Sequence, residues 1–303
     1  MLHFERKQVL MSVFFMVLAS AFVAGSTIIA KTLGSFDLGD PLSPFQISHS
    51  RFLFAFIFIS IIFFKTKSNF EKPSFKLHLA RTMSGWVGVT ILFGASSIIP
   101  VADAIAINFT NPIFAMLLAV PFLKERLGLY KIIAVCVTFL GAIILIRPSY
   151  NFQDYEPVAI VSLIGAVILG LEAIFIKLLI RFEHHVQILF INNAIGLLIS
   201  TIPLYFVWKN PTGDQIKLCV MIGMLMLIGQ FCFLEALKRA ELSFVAPFFY
   251  NTLIFVIIFD YIIYNSFPDS ISLLGSAIII IGGIIVYWKK ITDVLILDKS
   301  LNG

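Results

Sequence analysis

The side chains able to do chemistry are few, and they stand where a long apolar run would not tolerate them without a reason. Arg51 lies in the run 46–65, Asp103 opens the run 102–123, Glu172 lies deep in 158–178, and Asp260 comes late in 243–264. A charge at the centre of a bilayer costs about 2.5–3.5 kcal/mol on insertion scales, so each needs a partner or a task. Arg51 presents a planar fork that grips a carboxylate through two bonds. Its partner is either Asp103 or a bound carboxylate, with snorkelling to the membrane edge as the competing reading for both residues. Glu172 has no cation one turn away, since Lys177 is about 140° round a helix from it. Such a carboxyl can carry a proton or hold an amine, against a structural interhelical hydrogen bond as the alternative. The same choice applies to Asp260.

Amides form a second set. Pro112 has no N–H, which frees the carbonyl of Asn108 for a ligand, and Asn111 shares a face with Asp103. Asn193 shares a face with Gly196 and Ser200. Tyr250 and Asn251 fall near mid-run, with Asn251 about 180° from Asp260, so one of that pair is expected to pack rather than face a cavity. No catalytic residue, metal site or cofactor is expected. Cys136, Cys219 and Cys232 form no CxxC pair, and no P-loop, HExxH or GxSxG occurs. A channel filter or ring of like charge is also missing.

These residues must be positioned by helices that cross a membrane. The 303 residues are 59% hydrophobic and 13% charged, about half the charge of a soluble domain. Ten runs are long enough for spans of about 20 residues: 9–31, 46–65, 79–98, 102–123, 130–147, 158–178, 187–208, 216–237, 243–264 and 271–288. The first continues too far for a signal-peptide core and is read as retained. With the N-terminus in the cytoplasm, 17 of the 22 basic residues, Arg81 and Lys177 among them, fall on the cytoplasmic side. That asymmetry places both termini inside. The net charge of +5 sits in short clusters between runs, which argues against nucleic acid.

The chain also repeats. At an offset of 141, Gly141 falls on Gly282 and the corner Leu123-Lys-Glu-Arg126 on Tyr264-Asn-Ser-Phe267; at 146, Lys31 falls on Lys177. Five spans per half is odd, so the second half, 151–303, must enter the membrane opposite to the first, 1–150. The expected fold is an all-α polytopic membrane protein of ten helices in two inverted five-helix repeats, an arrangement that puts a binding site near mid-membrane.

The run Ala95 to Leu127, with its polar turn, Pro112 helix and Leu-Lys-Glu-Arg corner, resembles the EamA-type unit of the drug/metabolite transporter superfamily. Arg51-Phe-Leu, Gly141-Ala142 and Gly282-Gly283 fit the same pattern, whereas Val23-Ala24 and Ser266 depart from it. The resemblance implies a carrier of a small organic molecule in the inner membrane, by proton coupling or exchange. The partners to expect are that molecule, the lipid bilayer, protons and a second copy of the chain. An intramembrane enzyme or a channel is the alternative.

Overall fold

A computed structural model describes residues 2–65, 72–96, 98–99, 101–147, 156–265 and 267–302. The connections 66–71 and 148–155 lie outside the described residues. Helices are the expected result, because a lipid-facing chain must satisfy its own backbone groups. They are α1 (Leu2–Leu33), α2 (Pro44–Lys65), α3 (Phe75–Ser96), α4 (Val101–Asn108), α5 (Asn111–Leu123) and α6 (Leu129–Ile146). The second half holds α7 (Glu156–Leu179), α8 (His185–Val207), α9 (Gly213–Arg239), α10 (Leu242–Val245), α11 (Asn251–Tyr264) and α12 (Ser270–Asn302). No strand occurs among the described residues.

Among the described residues nine helices are long and apolar enough to cross a membrane, with α4–α5 crossing as one (Ala104–Leu123) and α10–α11 as another (Leu242–Tyr264). The tenth expected span is α3. Its 22 residues, about 33 Å of helix, match the length, but Lys76, His78 and Arg81 in its first turns lower its hydropathy. The expected ends hold within a few residues except at the termini, where α1 starts at Leu2 and α12 runs on to Asn302.

Two of the crossings are broken. Between α4 and α5 the chain turns at Phe109 and Thr110, and between α10 and α11 it tightens into a 3-10 turn, Ala246–Tyr250. Prolines drive both, Pro112 at the start of α5 and Pro247 inside the 3-10 turn. The freed backbone groups find protein partners. Asn111 Nδ2 donates to the Asn108 carbonyl at 2.8 Å, and the Tyr250 hydroxyl donates to the Phe109 carbonyl at 2.8 Å. The carbonyl expected to be open at Asn108 is therefore occupied by the neighbouring side chain. Both crossings stop alike, at left-handed residues Lys124 (φ 58°) and Asn265 (φ 53°), which are the positions matched by the repeat.

Packing pairs helices of one half with helices of the other. α1 packs on α9 and α11, α7 on α3 and α5, α2 on α8 and α9, and α6 on α12. Glycine sets the closest approach. A Cβ on Gly141 would come within 2.8 Å of the Gly275 carbonyl, and one on Gly282 within 2.4 Å of Thr138 and 3.0 Å of the Ala134 carbonyl. Backbones touching in this way are how membrane helices associate where no hydrophobic drive is available. Gly282→Val should therefore force α6 and α12 apart and cost about 1–3 kcal/mol. A lowered thermal midpoint in detergent checks this, and an unchanged midpoint would rule out the close approach.

Candidate functional site

A cavity of about 260 Å³ opens inside the bundle, and polar residues of six helices, α5 with Asn111 among them, converge on it. α2 contributes Arg51, α3 contributes Arg81 and Thr82, α7 contributes Glu172, and α8 and α9 contribute Asn192 and Gln230. The rest of the wall is apolar and aromatic, with Trp86, Phe233 and Phe249. A mostly apolar wall with a few convergent polar groups is the usual build of a small-molecule site.

Depth explains how the two arginines meet. Arg51 is eight residues into α2 and Arg81 seven residues into α3, entering from opposite ends of the bundle, so both long side chains reach the middle. Arg51 also lies over the ring of Phe52, 4.4 Å from its centre, a cation–π contact. Arg81 is only 2% exposed and makes a long contact, 3.5 Å, to the Ile188 carbonyl. Glu172 senses the charge of both guanidinium groups, yet the ion pairs found among the described residues lie elsewhere. Gly85 makes room for that carboxyl, since a Cβ there would stand 2.8 Å from it. Across the cavity, Thr82 donates to Asn192 Oδ1 at 3.0 Å.

Of the residues singled out from sequence, Arg51, Glu172 and Asn111 line the cavity and come together. The cations that the sequence left out of reach of Glu172 arrive from α2 and α3. Asp103 lies on α4, but its side chain is outside the described residues, and so is its pairing with Arg51. Asn193 does not face the cavity; its amide bonds back to the Leu189 carbonyl at 2.7 Å, while Asn192, one position before, takes the cavity side. Tyr250 is fully buried against Phe109 and Phe139 as the tie between the two breaks, and Asn251 starts α11. Asp260 pairs with Lys31 at 2.6 Å near the end of α1, partly exposed and away from the cavity wall. Neither Asn251 nor Asp260 lines this cavity.

Arg81, Thr82, Asn192 and Gln230 escaped the sequence reading. Arg81 counts with the cytoplasmic cations because it lies near the start of its run, although Thr82, Gly85 and Trp86 on the same stretch of helix are the residues that share the cavity with it. Lys177 lies at the end of the bundle that carries Lys238 and Arg239, as its place among the cytoplasmic cations predicts. Its ammonium donates to the Leu237 and Ala240 carbonyls, closing the C-terminal end of α9.

The end of the bundle that carries Arg126 and Lys238 is tightly bonded. Glu125 accepts the N–H groups of Leu242 and Ser243, each at 2.8 Å, and Lys131 pairs with Glu241 while donating to Ser243 at 2.8 Å. Glu183 accepts from His78, Gln187 and the Ser74 N–H. A wider groove of about 790 Å³ on this face is bordered by the α7–α8 turn and the end of α9, and His185 of α8 pairs with Glu235 of α9 at 2.8 Å. Its lining comes from the helix ends rather than from between the spans, so the cavity inside the bundle is the better candidate. At the opposite end Arg147 and Ser272 bind Asp269 and hold its carboxyl well below the usual carboxylate range.

Because the Glu172 carboxyl occupies the space above Gly85, Gly85→Ala should displace it and change what the cavity binds, with little effect on the melting temperature. Paired measurements of melting with and without ligand check this; unchanged ligand shifts would contradict it.

The family model for the EamA-like transporter family matches residues 10–147 and 157–288. The S-adenosylmethionine uptake transporter of Rickettsia felis is 24% identical over 254 residues, covering 84% of this chain and 86% of that protein. The pseudopaline exporter CntI of Pseudomonas aeruginosa is 27% identical over 208 residues, 67% of this chain and 72% of the exporter. The riboflavin transporter of Vibrio cholerae is 23% identical over 233 residues, 74% and 75% of the two chains. A solved crystal structure, 14% identical, superposes with a TM-score of 0.78 over 92% of this chain and 96% of its own, which establishes the shared fold. With a bundle of apolar helices around a polar cavity and two matches that together span nearly its whole length, this chain is a multi-pass membrane protein belonging to the EamA-like transporter family.

Proposed function

We propose that the protein is a secondary carrier that moves a small organic metabolite across the inner membrane by alternating access, through the cavity of Arg51, Arg81 and Glu172. One observation carries this reading: two guanidinium groups and a carboxyl are enclosed at the centre of an apolar bundle, at the meeting point of both halves. Groups so costly in a bilayer mark substrate and proton pathways. Uptake and export both appear among the relatives' names, so direction is a matter of gradients rather than of fold.

We infer further that residues 1–150 and 151–303 are two five-helix units of opposite orientation. The Tyr250 hydroxyl meets the Phe109 carbonyl across the repeat distance of 141. Gly141 faces Gly275 and Ile279 just as Gly282 faces Ala134 and Thr138, the same positions 141 earlier. Contacts of i with j′ and j with i′ are what a two-fold axis between units produces. The basic ends, with both termini, lie in the cytoplasm, following the Lys/Arg bias.

In this orientation the carrier is closed inward. One apolar cluster at the basic end joins Val9 of α1, Ile59 of α2, Leu123 of α5, Leu179 of α7 and Leu242 of α10. Toward the other end the apolar clusters stay apart, one on Ile29, Ile47 and Ile222, one on Ala95, Ile99 and Ala104, and one on Ala142, Leu253 and Ile279. Glu172 is the ionisable group placed to couple transport to protons, and the Lys31–Asp260 pair ties α1 to α11 near the outer end.

Reconstituted protein tests the proposal with labelled S-adenosylmethionine, riboflavin and a panel of amino acids and organic acids. Saturable uptake of at least one, with counterflow, is expected, and Arg51→Ala should reduce it at least tenfold, in line with losing a buried charged contact of about 2 kcal/mol or more. Glu172→Gln should remove the response to an imposed pH gradient. Ohmic conductance, chemical conversion of the compound, or both variants behaving as wild type would refute the carrier reading.

A further inference from the structure

The cavity has a charge and hydrogen-bond inventory that narrows its cargo. Three buried polar atoms are left without a partner at its wall: Arg51 Nε, Arg81 Nε and Gln230 Oε1. Unmade hydrogen bonds of this kind are rare in a folded interior and are retained where something else completes them. Two are donors on cations and one is an acceptor on an amide. Complementary cargo therefore carries anionic oxygen toward the arginines and an N–H or O–H toward Gln230.

Charge counting agrees. The wall holds two guanidinium groups against the single carboxyl of Glu172, which pairs directly with neither. The next carboxylate, Glu183, is already taken by His78, Gln187 and the Ser74 N–H, so it does not serve as the counter-ion of Arg81. A surplus positive charge remains enclosed among Trp86, Phe233 and Phe249, in a space of about 260 Å³. A guanidinium fork takes carboxylate and phosphate alike, and a surplus of one positive charge matches the single charge of a carboxylate rather than the nearly double charge of a phosphate monoester.

We propose that the cargo is a carboxylate-bearing metabolite of net negative or zero charge, its carboxylate held between Arg51 and Arg81 and its N–H or O–H by Gln230, and that the cavity discriminates against cations. The assignment rests on the carrier reading only in taking this cavity as the cargo site. It separates this chain from a carrier of a sulfonium or other net cationic molecule, for which the excess positive charge would be repulsive.

Matched acid and amide pairs test it: nicotinate with nicotinamide, N-acetylleucine with its amide, and leucine with leucinamide. Ligand-induced thermal shifts of purified protein report binding, and counterflow in proteoliposomes reports transport separately. At least one acid should stabilise the protein at a concentration where its amide does not. Arg51→Gln and Arg81→Gln should each weaken that acid about tenfold or more. Arg51→Lys, which keeps the charge and loses the fork, should fall between, and serves if Arg81→Gln does not fold. Gln230→Leu should weaken acids that carry an N–H and spare nicotinate. Stabilisation by amides or amines equal to that by acids, acid binding unaffected in both Gln variants, or no acid binding at all would overturn the charge assignment. Saturable flux of a cationic compound would overturn it while leaving the carrier reading intact, and acid binding without any flux would do the reverse.

Discussion

Arg51, Arg81 and Glu172 stand inside the bundle at a depth where lipid cannot solvate them, so the protein itself has to wall them off from it. That requirement shapes the bundle. α2, α3 and α7 each deliver one charge, and α8 and α9 complete the wall with Asn192 and Gln230. The helices come this close because glycine sits at the contacts. Gly85 leaves space for the Glu172 carboxyl, and Gly88 lies against Leu169 where a Cβ would stand only 2.5 Å away. The charges are enclosed without being cancelled, which a purely structural ion pair would not require.

A second constraint is the backbone at the two breaks. A carbonyl freed inside the membrane must find a donor. Phe109 finds Tyr250, and Asn108 finds Asn111. The first of these bonds ties the two broken crossings to each other, so the irregular segments share one anchor next to the cavity. Such breaks position side chains without the rigidity of a continuous helix.

Much of this was legible in the sequence. The span pattern, the paired corners ending at Lys124 and Asn265, and the choice of Arg51, Glu172 and Asn111 all rest on local signals, namely apolar runs, turn residues and isolated charges. What could not be read depends on helix rotation and on contacts across the halves. Asn192 and Asn193 differ by about 100° on a helix, and nothing local says which one faces inward. Arg81 was hidden by its position near the end of a run, where a cation usually marks the membrane edge. Tyr250 is a candidate in the sequence because it falls near mid-run, and the carbonyl that takes up its hydroxyl lies 141 residues away.

The central claim is that one cavity serves the two sides of the membrane in turn. Val89, an apolar wall residue of α3 with no hydrogen-bonding duty, reports it when replaced by cysteine in a chain freed of Cys136, Cys219 and Cys232. A membrane-impermeant thiol reagent is applied from each side, with and without a cargo gradient. Labelling is expected from the outer side at rest, given the bonded basic end, with a shift toward the cytoplasmic side when cargo is driven through. Equal labelling from both sides at once, whatever the gradient, would contradict alternating access and indicate a continuous pore.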